Sequence, residues 1–236
     1  GNLNTNNSDH IYIAIRRGPM AVPESATDVF APAVTYNETT NLFNSGFVTD
    51  MLWYRNPGTQ YVSNDEMRVL SRLTGGKSLR TDSTTQETGN TTAFDFMNGA
   101  NAPTNEDHKG WMWKRAPNYF DVVAYTGNGT TDGSHQINHN LGVAPEMIIY
   151  KDRNLGASWL VWHTGLGQDG SNRYYSAILN SSGAKGLYSV ASNNLLVNPQ
   201  GTSTYFPVGG SNTNPSGDNY IAYLFASLDG ISKVGS

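Results

Sequence analysis

The stretch Gly217-Asp218-Asn219-Tyr220-Ile221-Ala222-Tyr223-Leu224-Phe225-Ala226 joins a polar turn to a run of aromatic and β-branched residues. Such side chains fill a pleated, buried surface well, so the composition predicts a β-strand. Two related stretches lie upstream, and the aspartates of the three copies are 98 and 111 residues apart, at Asp9, Asp107 and Asp218. A repeat of this length suits one compact β domain. The sequence therefore predicts β units laid between copies of one closing strand.

Composition excludes several classes of function. Only 14% of the 236 residues are charged, the net charge is −4, and basic residues form no run, so binding of nucleic acid through its phosphates is not predicted. The absence of cysteine excludes disulfides and thiolate metal sites. No apolar run is long enough to span a membrane, and no cofactor is predicted. The chain starts at Gly1 without a signal peptide, and we expect it to be an excerpt of a longer protein.

The chain divides into three parts. Residues 1–20 are interpreted as the closing strand of a preceding repeat plus a proline-containing linker, because proline removes donors from a sheet. Residues 21–116 form the first predicted repeat, and residues 117–236 form the second together with the start of a following unit. The predicted fold class is all-β, with two tandem antiparallel β-sandwich domains.

Short apolar or alternating segments bounded by turn residues predict the individual strands. Strands are predicted at residues 11–15, 33–36, 51–55, 93–97, 120–125, 134–139, 146–151, 157–163, 175–179, 195–197 and 204–208.

The two repeats also align away from the closing strand. Residues 46–55 match residues 142–151, since each has a glycine, an apolar residue and an acid before a strand that ends in an aromatic residue and a base. At the end of the chain, residues 231–236 fall where residues 119–124 begin the second unit. The sequence therefore predicts that one unit is duplicated.

Four stretches of the second unit resemble a known family. They are Phe-Asp-Val-Val-Ala-Tyr-Thr-Gly-Asn-Gly at 120–129, His-Asn-Leu-Gly-Val-Ala-Pro-Glu-Met-Ile-Ile at 139–149, Ser-Trp-Leu-Val-Trp-His at 158–163 and Tyr-Ile-Ala-Tyr-Leu-Phe-Ala at 220–226. Together they resemble the tandem β-repeat domain of tail fibre-like proteins from tailed bacteriophages and prophages. The first unit departs from this pattern, because its turn at 46–50 lacks proline and Trp-x-x-Trp-His is absent.

The resemblance implies a structural protein located in the virion, in a tail fibre or similar external appendage. It also implies assembly as a homotrimer with other virion proteins, and it supplies no catalytic residues. We therefore predict a non-enzymatic module that contributes to host-surface attachment. The alternative is a carbohydrate-binding module of a secreted bacterial protein, which would bind an oligosaccharide as an isolated monomer. A third hypothesis, a depolymerase, would release reducing ends from host polysaccharide.

A candidate glycan site comprises Trp159, His163, Asp152 and Asn154. Exposed aromatic rings stack on the apolar faces of sugars, while nearby acids and amides bind the hydroxyls. The alternative is that Trp162 packs inward as core and Trp159 is at least partly buried, because large aromatic residues dominate protein cores.

Other candidates are interpreted as structural. Trp111 and Trp113 share one strand face and are expected to pack in the core or between units. His135 and His139 lie ~13 Å apart on an extended chain, too far for one metal, and are expected to be solvated. The Asn-rich loop at 212–218 has one carboxylate and predicts an ordinary turn rather than a calcium site, so no metal is predicted.

Catalytic motifs are missing from the sequence. It contains no Gly-x-Ser-x-Gly, no His-Glu-x-x-His and no cysteine nucleophile. Carboxylates from separate loops could still meet in space, as glycoside hydrolysis requires, but no pattern in the sequence indicates such a pair. No catalytic residue is predicted.

Overall fold

The computed structural model describes residues 20–34, 36–37, 42–56, 66–89, 94, 98–101, 109–169, 173–187 and 199–235. These residues form antiparallel sheets, which confirms the predicted all-β fold. The strands predicted at 11–15 and 195–197, and all but one residue of that at 93–97, lie outside the described residues. In the described part of the chain, no helix combines the length and apolar character needed to cross a membrane.

The first half, residues 20–116, contains a large and a small sheet. Its described strands are β1 (Phe30–Val34), β2 (Tyr36–Asn37), β3 (Leu42–Asn44), β4 (Met51–Asn56), β5 (Glu66–Ser71), β6 (Lys77–Arg80), β7 (Thr88–Gly89), β8 (Gly99–Asn101) and β9 (Lys109–Trp113). The large sheet has the order β1-β9-β4-β5-β6-β7, and the small sheet has the order β2-β3-β8.

The second half, residues 117–235, repeats this organisation. Its described strands are β10 (Phe120–Thr126), β11 (His135–Asn138), β12 (Met147–Asp152), β13 (Leu160–His163), β14 (Ala177–Ile178), β15 (Tyr205–Val208) and β16 (Asn219–Phe225). The large sheet has the order β10-β16-β12-β13-β14, and β11 pairs with β15 in the small sheet. Short helical turns occur at Ala26–Asp28, Arg72–Thr74, Thr164–Leu166 and Gly210–Thr213.

Strand β16, the predicted closing strand, lies at the centre of the second half. It pairs along its length with β10 on one side and with β12 on the other. Its residues from Tyr220 to Leu224 are all buried, on both faces of the sheet. A strand covered on both faces needs a continuous apolar run rather than an alternating one, which is the pattern the sequence has there.

Three apolar cores separate four layers of sheet. The central core lies between the two large sheets and includes Met51, Val69, Leu79, Phe120, Ile149, Trp159, Ile221 and Tyr223. In the first half, an outer core between large and small sheets includes Phe43, Leu52, Leu70 and Met112. In the second half, the outer core includes Ile148, Trp162, Phe206 and Leu224. Each half is thus an antiparallel β-sandwich, and the two sandwiches pack face to face.

Strand register shows that the two halves are copies of one unit. Met51 lies opposite Trp113 on one side and Ser71 on the other. Met147 likewise lies opposite Phe225 and His163. The alignment of residues 46–55 with 142–151, made on sequence alone, therefore matches the positions of these strands in their sheets.

The acidic residue before each central strand makes the same set of hydrogen bonds. The Asp50 N–H donates to the Trp113 carbonyl at 2.8 Å, and the Glu146 N–H donates to the Phe225 carbonyl at 2.9 Å. The Asp50 carboxylate accepts from the Arg115 N–H at 2.8 Å, two residues beyond Trp113. The Glu146 carboxylate accepts from the Ser227 hydroxyl at 2.6 Å, two residues beyond Phe225. Each acid thus fastens the closing strand to the central strand of its half.

A hydrogen-bonded turn follows each closing strand. In residues 116–120, Phe120 N–H donates to the Ala116 carbonyl at 3.2 Å, and in residues 228–232, Ser232 N–H donates to the Leu228 carbonyl at 2.9 Å. The middle residue of both turns has a left-handed backbone, with φ 63° at Asn118 and φ 75° at Gly230. The start of a further unit, predicted at residues 231–236, thus coincides with a second copy of this turn.

The predicted spacing of 111 residues between closing strands is one residue short. Trp113 and Phe225 occupy the same register position, and they lie 112 residues apart. Because side chains alternate between the faces of a strand, a one-residue error would turn each core residue towards the wrong face. The masked turn before β9 supplied the aspartate used for the sequence comparison, whereas the register is set by the strands themselves.

Both halves use the same face of the large sheet to contact one another. Equivalent pairs in or against the central core are Met51 and Met147, Trp53 and Ile149, Val69 and Val161, Phe30 and Phe120, and Trp113 and Phe225. The same patch on both partners is the arrangement found in two-fold symmetric dimers. The pair is therefore closed through this face.

The turn at residues 228–232 provides a test of backbone strain. A Cβ added at Gly230 would meet no heavy atom within 4 Å, so a substitution there acts through φ alone. We expect Gly230→Val to lower the free energy of unfolding by about 1–2 kcal/mol, measured by urea denaturation. Gly230→Asn, which copies the residue at the equivalent position 118, should cost clearly less, because asparagine tolerates this conformation. Equal losses in the two variants would contradict the strain explanation.

Candidate functional site

The residue at the centre of the predicted glycan site is buried. Trp159 is 0% exposed, and its ring stacks on Tyr223 with a centroid distance of 6.3 Å and an interplanar angle of 22°. Its indole Nε1–H donates to the Arg80 carbonyl of the first half at 2.7 Å. A role for Trp159 as an exposed sugar-stacking ring is therefore wrong for this structure. Its burial, and that of Trp162 at 2% exposed, agrees with the alternative of core packing.

The other three predicted site residues shape the local backbone. Asp152 is buried, and its Oδ1 accepts from the N–H groups of Asn154 and Leu155 at 2.8 and 2.9 Å. Asn154 is exposed, and its Oδ1 accepts from the Asn219 N–H at 2.7 Å. The half-buried His163 accepts from the Gly165 N–H through Nδ1 at 2.8 Å and caps a helical turn. The four residues do not combine into an open binding platform.

Lys151, which sequence reasoning passed over, is a buried cation at the contact between the halves. Its side chain is 0% exposed, and Nζ donates to the carbonyls of Asp152, Leu155 and Thr84 at 2.8, 3.3 and 3.3 Å. Burial lowers its pKa to about 8, against an opposing effect of the neighbouring Asp152. Lys151 thus fixes a loop of the first half to a loop of the second. The equivalent base, Arg55, is exposed, so the sequence offered no signal for this burial.

An ion pair lies beside Lys151. The Arg153 guanidinium contacts the Glu87 carboxylate through Nε at 2.9 Å and through a terminal nitrogen at 3.3 Å. The two backbones also meet, because the Glu87 N–H donates to the Arg153 carbonyl at 3.0 Å. Lys77 adds a second cation 2.9 Å from the same carboxylate. A bidentate pair reinforced by a backbone bond holds geometry better than an isolated surface pair.

These contacts define one site, which we call the inter-half contact. It comprises Arg80, Thr84 and Glu87 of the first half with Lys151, Arg153 and Trp159 of the second. All of them lie at the edge of the central core, so polar bonds enclose the apolar contact there. The arrangement joins the two sandwiches.

A second polar network fastens the junction between the halves. Arg115 lies 3.5 Å from a carboxylate oxygen of Asp50 and 3.6 Å from one of Asp121. Asp121 is 0% exposed, and it accepts from the N–H groups of Val122 and Asn140 at 2.9 and 2.7 Å. Burial raises the pKa of Asp121, although these donors and Arg115 favour its charged form.

The histidine interpretation is wrong for His139. This residue is buried; its Nδ1 accepts from the Leu141 N–H at 3.1 Å, and its Nε2 lies 3.2 Å from the Thr202 carbonyl. Burial lowers its pKa, which favours the neutral ring that these two bonds require. His135 instead places Nδ1 2.7 Å from the Asn214 Oδ1.

The loop at 212–218 is organised by a buried asparagine. Asn214 is 0% exposed; its Nδ2 donates to the Asn128 Oδ1 and the Thr130 carbonyl, both at 2.8 Å, and its Oδ1 accepts from the Asn128 N–H at 3.0 Å. These bonds tie the loop to the turn after β10. Within the described ranges, no cluster of three or more His, Asp or Glu side chains could hold a metal ion.

Fold and contacts define a class, an all-β protein made of two copies of a β-sandwich unit that pack through the same face. The chain belongs to the family described as a domain of unknown function (DUF7483), which matches residues 29–236. No curated protein matches the chain. No solved structure matches it either.

The indole hydrogen bond across the inter-half contact provides a second test. Trp159→Phe keeps a ring in the core but leaves the Arg80 carbonyl without its donor, so we expect a loss of roughly 1–3 kcal/mol in the free energy of unfolding. Trp111→Phe is the matched control, because Trp111 is only half buried and should lose less. Unchanged stability in Trp159→Phe would show that this bond does not hold the halves together.

The buried lysine predicts a dependence of stability on alkaline pH. Because the pKa of Lys151 is about 8 in the fold and about 10.4 in an unfolded chain, the folded protein releases this proton first. The free energy of unfolding should therefore gain up to about 1.4 kcal/mol per pH unit from Lys151 as pH rises above 8. Buried tyrosines oppose this gain nearer pH 10, since burial raises the pKa values of Tyr150 and Tyr223.

The comparison is best made between about pH 8 and 9.5, with Lys151→Met measured beside the original chain. Every other titrating group is shared by the two proteins, so the difference between their slopes isolates Lys151. Identical slopes would contradict an alkaline titration of this lysine in the fold.

Proposed function

We propose that this chain is a structural, non-enzymatic module of a bacteriophage virion appendage, a tail fibre or similar, which contributes to host-surface attachment. The observation that carries the proposal is the inter-half contact. Trp159, the residue best suited to bind a sugar, donates instead to the backbone of the other half. The residues at this contact thus serve rigidity rather than recognition.

The rigidity follows from how the halves are joined. The central core unites apolar side chains of both halves, and Lys151 and Arg153 bind backbone and carboxylate groups of the first half. Two sandwiches joined by a shared core and charged bonds move as one body, in contrast to domains on a flexible linker. A stiff unit of this kind suits an appendage that transmits force between a virion and a surface.

The resemblance to tail fibre-like proteins supports the virion location and the homotrimer. Trp113 and Trp53 are half buried against the central core, so the tryptophan-rich strands pack within one chain. Contacts between subunits must then use other surfaces. Leu155 and Leu179 are 52% and 40% exposed and lie near Trp159, and we propose this edge for the trimer contact.

Solution mass measured by light scattering, with a glycan array on the same sample, tests the proposal. We expect a mass near three times 25.6 kDa and no glycan signal that depends on Trp159. Leu155→Glu with Leu179→Glu should shift the mass to that of one chain, whereas Val22→Glu with Leu73→Glu, also at exposed apolar positions, should not.

A monomer that binds one glycan class, with binding lost in Trp159→Ala, would favour a carbohydrate-binding module. Release of reducing ends from host polysaccharide would favour a depolymerase. Either result would overturn the structural proposal.

A further inference from the structure

An apolar cavity of about 440 Å³ lies at one end of the central core, where both halves meet the tail of the chain. Its apolar wall includes Phe30, Trp113, Tyr119, Met147, Phe225 and Ile231. Pockets for small molecules commonly form between domains and have this volume and lining.

The tail that closes the cavity is held in place. The Val234 N–H donates to the Ser227 hydroxyl at 2.9 Å, and the Ser232 hydroxyl donates to the Ala226 carbonyl at 3.0 Å. Ser227 in turn donates to the Glu146 carboxylate. The cavity is therefore formed in advance of any ligand.

One buried hydrogen-bond donor at the cavity has no acceptor. His163 lines the cavity, and since its Nδ1 accepts from Gly165, the neutral ring carries its proton on Nε2. Within the described part of the chain, this buried Nε2 has no hydrogen-bond partner. At the equivalent position of the first half, Ser71 makes the same type of cap with a shorter side chain. Capping alone therefore does not require a histidine.

Charge at the cavity has one sign. Lys233 also lines it, is exposed, and makes no ion pair with another described residue. No aspartate or glutamate is among the described residues of the lining. An apolar wall with one imidazole donor and one ammonium group complements an apolar body that ends in a carboxylate.

We propose that this cavity binds a small monocarboxylate with an aliphatic or aromatic body. The carboxylate lies between His163 and Lys233, and the apolar body contacts Met147, Phe225 and Trp113. This site is separate from the inter-half contact, so it stands whether or not the chain belongs to a virion.

Calorimetric titration with sodium octanoate, octan-1-ol and octylamine tests the site, because the three probes share one chain length and differ in the head group. We expect octanoate to bind with a Kd below about 1 mM and octanol about tenfold more weakly, with octylamine weakest. His163→Ser, which copies the residue of the first half, should weaken octanoate binding about tenfold. Met147→Trp, which fills the cavity, should abolish it.

Lys233→Gln keeps the test decisive if His163→Ser fails to fold, since residue 233 is exposed on the tail. It should reduce the preference for octanoate over octanol. The control is Lys109→Gln, which removes the same charge from an exposed position at the far end of β9 and should change nothing.

Equal binding of the three probes, or octanoate binding unchanged in His163→Ser and Lys233→Gln, would overturn the proposal. Absence of octanoate binding would overturn it as well. Octanoate that changes the solution mass without saturable binding to one chain would identify the cavity as a contact between chains instead.

Discussion

Each large sheet of this protein is apolar on both faces, and this constraint determines the rest of the architecture. Along β4, Met51 faces the central core while its neighbour Leu52 faces the outer core of the same half. Along β12, Ile148 and Ile149 divide in the same way. A sheet with two apolar faces must be covered twice, here by a small sheet on one side and by the other large sheet on the other. Neither half could expose its central-core face to water without losing this burial.

The sequence was sufficient for the class of fold and for the duplication, because both depend on local patterns. Continuous apolar runs such as residues 220–225 indicate strands buried on both faces, and the match of 46–55 with 142–151 marks equivalent strands. What covers each face depends on contacts between residues far apart in the chain, which alternation of side chains does not encode. Two tandem sandwiches could equally have stood end to end.

The candidate site illustrates the same limit in single residues. Trp159 has the composition and neighbours of a sugar-stacking residue, yet its exposure is decided by Arg80, which lies 79 residues away in the chain. Lys151 and Arg55 close equivalent strands, but only Lys151 meets loops of both halves and is buried. Burial is a property of the assembled pair, and so the chemistry of a polar side chain changes with a partner that its own segment does not specify.

The closed pairing of the halves has a consequence for any longer assembly. Since both copies use the same face, that face is fully consumed within one pair and cannot recruit a third copy. Growth along a fibre, or association into a trimer, must therefore use the sheet edges, the small sheets or the ends of the sandwiches. The copies have diverged at these places: Ser71 is replaced by His163, and the buried Met51 by the partly exposed Met147. Divergence at the ends, with the shared face kept apolar in both halves, is what separate roles for the two copies would require.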